Sequence, residues 1–141
     1  MIVPSPSVVR QAAVVVAIEG AALVGVAVVL VVRHLSGVEN RPWLSGYGTA
    51  AWFAIMGAAV LAAGWALWTG RRWGRGIAVF AQLLLLPVAW YMGVGSQRWL
   101  YAVPIGLVAL AALALLFSPA TLQWLAAHDP AKADNSGPDT R

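Results

Sequence analysis

The sequence predicts an all-α polytopic membrane protein, a bundle of four antiparallel transmembrane helices, and three observations carry that reading. Of its 141 residues, 61% are hydrophobic and only 10% charged, whereas soluble domains carry about a quarter charged residues. The apolar residues fall into four runs, each able to supply the roughly 20 helical residues that about 30 Å of hydrocarbon requires. Between the runs lie clusters of Arg, Gly, Pro and Asn, the residues that interrupt regular structure.

Taken in order, residues 1–10 form a short N-terminal segment, and the transmembrane domain covers 11–117. The first span, about 11–32, is interrupted by one ionisable residue, Glu19. Its apolar stretch of about 22 residues is longer than the roughly 7–15 of a secretory leader, so a retained span is expected. The second span, about 48–69, carries no charge. The third, about 76–93, follows the cluster Arg71-Arg72-Trp73-Gly74-Arg75 and contains Pro87, which should bend it by depriving the Leu83 carbonyl of its donor. The fourth, about 99–117, has Pro104 near its start, where proline is better tolerated. Ser118-Pro119 then reads as an N-cap and first helical residue, opening a short interfacial helix over 118–127 that places Leu122, Trp124 and Leu125 in the membrane interface. The tail, 128–141, has no apolar residue larger than alanine, a composition that predicts disorder.

Orientation follows from the basic residues. With four spans, Arg10, Arg71, Arg72, Arg75, Lys132 and Arg141 share one side, against Arg33, Arg41 and Arg98 on the other. Six against three places both termini in the cytoplasm of a bacterial plasma membrane, with Arg71, Arg72 and Arg75 as a basic cluster at the inner leaflet. Trp43 and Trp99 fall at the outer interface and Trp68 and Trp73 at the inner one, where amphipathic rings concentrate. The basic cluster is sufficiently explained by this topogenic role, although such arginines also suit anionic headgroups.

Helices in lipid associate through small residues and polar contacts. Span two places Ala50, Ala54, Ala58, Ala62 and Ala66 at intervals of four, and span one offers Ala13, Ala17, Ala21 and Gly25. These ridges are expected to pack together, unless alanine is merely abundant here. Glu19 is the costly residue, at about 2.5–3.5 kcal/mol for an acid at mid-span on insertion scales. At 1.5 Å per residue it lies about 12 Å in from Gln11, and Gln82 about 9 Å in from Gly76. A hydrogen bond between Glu19 and Gln82, with the carboxyl protonated much of the time, is therefore expected. Since Glu19 points away from the alanine ridge, span one must either lie between two neighbours or turn its Glu19 side to another protein.

The longest outer loop, RHLSGVENRPWLSGY from Arg33 to Tyr47, offers Trp43 and Tyr47 as partner contacts. Its His34 and Glu39 lack a third ligand, so a solvated loop is the better reading than a metal site. Cysteine is absent, which removes disulfides, thiolate metal sites and cysteine nucleophiles. His34 and His128 lie outside the spans, so no buried axial pair for haem exists. No phosphate loop, HExxH or serine elbow is present. The chain is expected to be no enzyme and to need no cofactor or metal. With a net charge of +4 and no basic stripe, it is expected to bind no nucleic acid.

The stretch GRRWGRGIAVFAQLLLLPVAWYM, Gly70 to Met92, with LALLFSP, Leu113 to Pro119, resembles a set of small four-helix integral membrane proteins of actinobacteria whose role is uncharacterised. That resemblance covers the last three spans and implies a bacterial plasma membrane and the same layout, without an activity. Ile18-Glu19-Gly20 in the first of four spans resembles, more weakly, the small multidrug resistance family. The chain departs from that family in its arginine asymmetry and in its aromatic positions. Two functions are thus open. The leading one is association in the bilayer, as a self-oligomer or an accessory subunit of a membrane complex; the alternative is proton-coupled export of a small molecule through Glu19.

Overall fold

The computed structural model describes residues 5–37 and 46–127, and they form five α-helices, one π-helical turn and no strand. Four elements are long and apolar enough to cross a membrane: Ser7–Leu35, Tyr47–Trp68, Trp73–Gly95 and Trp99–Leu116. The helices are α1 (Ser7–Leu35), α2 (Gly46–Trp68), α3 (Trp73–Trp90), α4 (Trp99–Leu116) and α5 (Pro119–Ala126). Trp43, Glu39, Arg41, His128 and the tail 128–141 lie outside the described residues.

α1 overruns its apolar stretch at both ends and α3 at its start, because charge ends an apolar run without ending a helix. What ends α1 and α2 is glycine. Gly37 (φ +69°) and Gly70 (φ +78°) adopt the left-handed conformation after each helix. At Gly70 the closure is complete: its N–H donates to the Leu67 carbonyl at 3.2 Å and the Arg71 N–H reaches the Ala66 carbonyl at 2.6 Å, satisfying carbonyls that a helix end otherwise leaves orphaned. The turn is so short that α3 starts at Trp73, which puts Arg75 and Gly76 in its first helical turn. Gly70→Ala is expected to cost about 1–2 kcal/mol, the penalty of a left-handed Cβ, read as a lower unfolding midpoint with unchanged helix content.

The helices pack in a ring, α1 against α2, α2 against α3, α3 against α4 and α4 back against α1, with α1 and α3 on a diagonal. Span one therefore lies between two neighbours. The end bearing Arg10, Arg71, Arg72 and Arg75, here the basic end, is the better packed. Val9, Ala12, Ala13, Val16, Val60, Ala63, Leu67, Ala78, Leu116 and Trp124 form its core.

The most extensive contact, between α1 and α2, is not made by the alanine ridges. Ala54, Ala58 and Ala62 of α2 and Ala21 and Gly25 of α1 are exposed, and of the two ridges only Ala13, Ala50 and Ala66 are buried. The seam runs instead through glycines. A Cβ on Gly20 would lie 2.7 Å from the Leu61 nitrogen, one on Gly57 2.9 Å from the Val24 nitrogen, and one on Gly64 3.1 Å from the Ala13 oxygen. Glycine wins over alanine because backbone contact between helices is closest where no side chain intervenes. Gly74 repeats the device between α3 and α2, where its Cβ would meet the Ala63 oxygen at 2.7 Å.

Pro87 does not interrupt α3. Departure from α geometry comes just beyond it, in the π turn Tyr91–Gly95, where Gly93 makes room for the Trp99 ring, 2.8 Å from its would-be Cβ. Pro104 lies in the second turn of α4, deeper than the tolerant first turn, so it removes the bond that the Leu100 carbonyl would accept. Ser118 caps α5, accepting from the Thr121 N–H at 3.3 Å, while the Thr121 hydroxyl donates to the Leu115 carbonyl at 2.9 Å. That reversal folds α5 back onto the bundle. Trp124 is consequently buried in the core, not spread in the interface; Leu122 is exposed and Leu125 half-buried.

Candidate functional site

The geometry that brings chemistry together begins at the closest crossing of α1 and α2. Gly20 faces Gly57, and its predecessor Glu19 is turned 100° around the helix, away from α2 and into the ring. From the opposite corner α3 presents Gln82, which is fully buried. Gln82 Nε2 donates to Glu19 Oε2. The bond spans the diagonal of the bundle, joining two helices whose backbones are not packed neighbours.

The pair is incompletely satisfied. Glu19 Oε1 and Gln82 Oε1 are both buried and have no hydrogen-bond partner among the described residues. Both atoms are acceptors when the carboxyl is ionised. A proton on Glu19 would convert its unpartnered oxygen into a donor, the group that the Gln82 carbonyl lacks.

The basic end shows that its arginines are not equivalent. Arg75 Nε donates to the Leu116 carbonyl at 3.2 Å, and its guanidinium lies 4.9 Å from the Phe117 ring centroid. A cation thereby sits at the C-terminus of α4, where the helix dipole favours it. Arg71 and Arg72 are exposed. Sequence reasoning placed Arg10 only as a topological marker, whereas its guanidinium stacks 4.3 Å above Trp68 at the end of α2. The signal was available in an Arg and a Trp assigned to the same interface, though not the pairing itself. Ser5 Oγ, beside it, donates to the Trp68 carbonyl at 3.3 Å.

At the opposite end Tyr47 is exposed, and its ring meets His34 edge-on with centroids 4.3 Å apart. His34 therefore braces the start of α2 against the end of α1. Trp43, the other expected contact residue, lies outside the described residues. The glycines of the α1–α2 seam were also missed. Their signal was Gly57 and Gly64 seven residues apart on one face of span two, outweighed by the more numerous alanines.

One of the displaced alanines, Ala62, has a place of its own. Ala13, Val14 and Ala17 of α1 and Leu61, Ala62, Gly64, Trp65 and Trp68 of α2 line an apolar groove of 560 Å³ on the outside of the seam. Comparison with protein-family models, curated proteins and solved structures returns no match.

Proposed function

We propose that the chain is a non-enzymatic protein of the bacterial plasma membrane, both termini cytoplasmic, that acts by association with a second copy or as an accessory subunit of a membrane complex. The observation that carries this reading is the outward groove between α1 and α2. Its floor is the Gly64 crossing with Ala13 and Ala17, and exposed Ala62 leaves its rim low, so that another helix can approach at close range. Val14, Ala62, Trp65 and Trp68 of its lining are exposed. Tyr47, exposed and braced by His34, offers a further contact at the outer end, and the six-to-three distribution of basic residues supports the orientation.

The test is native mass spectrometry after solubilisation in mild detergent. Wild type is expected as a dimer, higher oligomer or defined complex. Ala62→Trp, which fills the groove from an exposed position, is expected to release the monomer with helix content unchanged. A monomeric wild type without a partner would sink the reading.

One observation favours the second reading, proton-coupled export: the two unpartnered oxygens of the Glu19–Gln82 pair amount to a vacant place for one proton. An exporter must bind a hydrophobic cation and release a proton as it does so, with affinity rising with pH. Isothermal titration in buffers of different ionisation enthalpy measures that proton directly.

A further inference from the structure

A second cavity, of 340 Å³, opens at the basic end and is lined by Arg72, Arg75, Gly76, Val79, Phe117 and Leu125. Its lining is mixed in chemistry: Arg72 and Arg75 are cationic, and Val79, Phe117 and Leu125 are apolar. The arginine that matters most is held in place: Arg75 is tied through Nε to the Leu116 carbonyl and stacked on Phe117. One of its five N–H donors is thus used, and the four on the paired Nη groups remain as the fork that matches two phosphate oxygens. Fixing a long side chain in advance removes much of the ordering cost of binding.

The geometry points to a binding site for one anionic phospholipid, its phosphate on Arg75 and the upper part of an acyl chain along Val79, Phe117 and Leu125. Charge complementarity selects an anion, and the apolar walls select an amphiphile over a free ion. Position agrees. The cavity lies where α3 begins, beside exposed Trp73, at the level where tryptophan marks the headgroup region. Arg71 belongs to the same sequence cluster yet does not line the cavity. Retention of arginines by topology or by surface potential treats the three alike; a built site does not.

That difference defines the experiment. The full chain in maltoside micelles is titrated with phosphatidylglycerol or phosphatidylcholine and read by native mass spectrometry. Wild type is expected to retain one phosphatidylglycerol about tenfold more tightly than phosphatidylcholine, a preference of about 1.4 kcal/mol. Arg75→Gln is expected to lose the preference and Arg71→Gln to keep it. Since Arg75 also caps α4, an independent variant is needed: Gly76→Phe fills the cavity from a position where a Cβ meets nothing within 4 Å, leaves both arginines in place, and is expected to expel the lipid. Glycerol 3-phosphate and inorganic phosphate at millimolar concentration are expected not to compete. Equal losses in R71Q and R75Q, equal retention of the two lipids, or a G76F protein that still holds phosphatidylglycerol would each overturn the assignment. Competition by the soluble phosphates would replace it with a free-anion site.

Discussion

Gly57→Leu is expected to separate α1 from α2 and abolish the compact bundle. A Cβ at this position would stand 2.7 Å from Val24 Cγ2, 2.9 Å from the Val24 nitrogen and 3.0 Å from the Gly20 oxygen. The first neighbour can rotate; the other two are backbone and cannot. Overpacking a well-filled site costs about 1–3 kcal/mol. The gain in helix propensity on leaving glycine is at most about 1 kcal/mol, so the clash prevails even in Gly57→Ala and does so widely in the leucine variant. Ala58→Leu is the control. It adds the same bulk one residue further on, on a face that is exposed, and its effect on unfolding should stay within about 0.5 kcal/mol. Unfolding in mixed micelles, followed by loss of the cross-link between cysteines introduced at the α1–α2 crossing, measures both. Equal stability of the 57 and 58 variants would dismiss the glycine seam.

The second large effect concerns the diagonal. Glu19→Leu leaves the amide of Gln82 fully buried without its acceptor. An orphaned buried donor costs about 1–3 kcal/mol, while polar contacts between membrane helices average nearer 0.6 kcal/mol because unassembled helices also find partners. The lower part of the first range, about 1 kcal/mol, is therefore expected for assembly. Insertion moves the other way, since removing the acid relieves about 2.5–3.5 kcal/mol. Expression level thus reports the wrong quantity, and the measurement must be assembly of inserted helices. Glu19→Gln supplies an acceptor for Gln82 Nε2 and a donor for the unpartnered Gln82 Oε1, so its stability should equal or exceed that of wild type. The double variant E19L/Q82L, apolar on both sides, should recover most of what E19L loses. Additive losses in that cycle would show that Glu19 and Gln82 do not interact.

The two experiments also separate scaffold from function. If export through Glu19 is the protein's role, E19Q folds and binds its cation without proton release. If association is the role, E19Q is silent and A62W is not.

Much of the architecture was legible in the residues because length against bilayer thickness is a one-dimensional question. Four apolar runs dictate four helices, and residue counts from the ends of two of them bring Glu19 and Gln82 to one depth. Ser118-Pro119 announced α5 by local chemistry alone. Which way each helix turns was not legible. In water a buried face is distinguished from its surroundings by hydrophobicity, but lipid is as apolar as a protein core, and Ala54, Ala58 and Ala62 satisfy either environment. Rotation about each helix axis was decided by closest backbone approach, at Gly20, Gly57, Gly64 and Gly74, a property of two surfaces together and of neither sequence segment by itself. For the same reason only tertiary structure singled out Arg75 from Arg71, and drew Trp124 from the interface into the core. Composition settled that the chain belongs in a membrane; contact between helices settled which residues meet there.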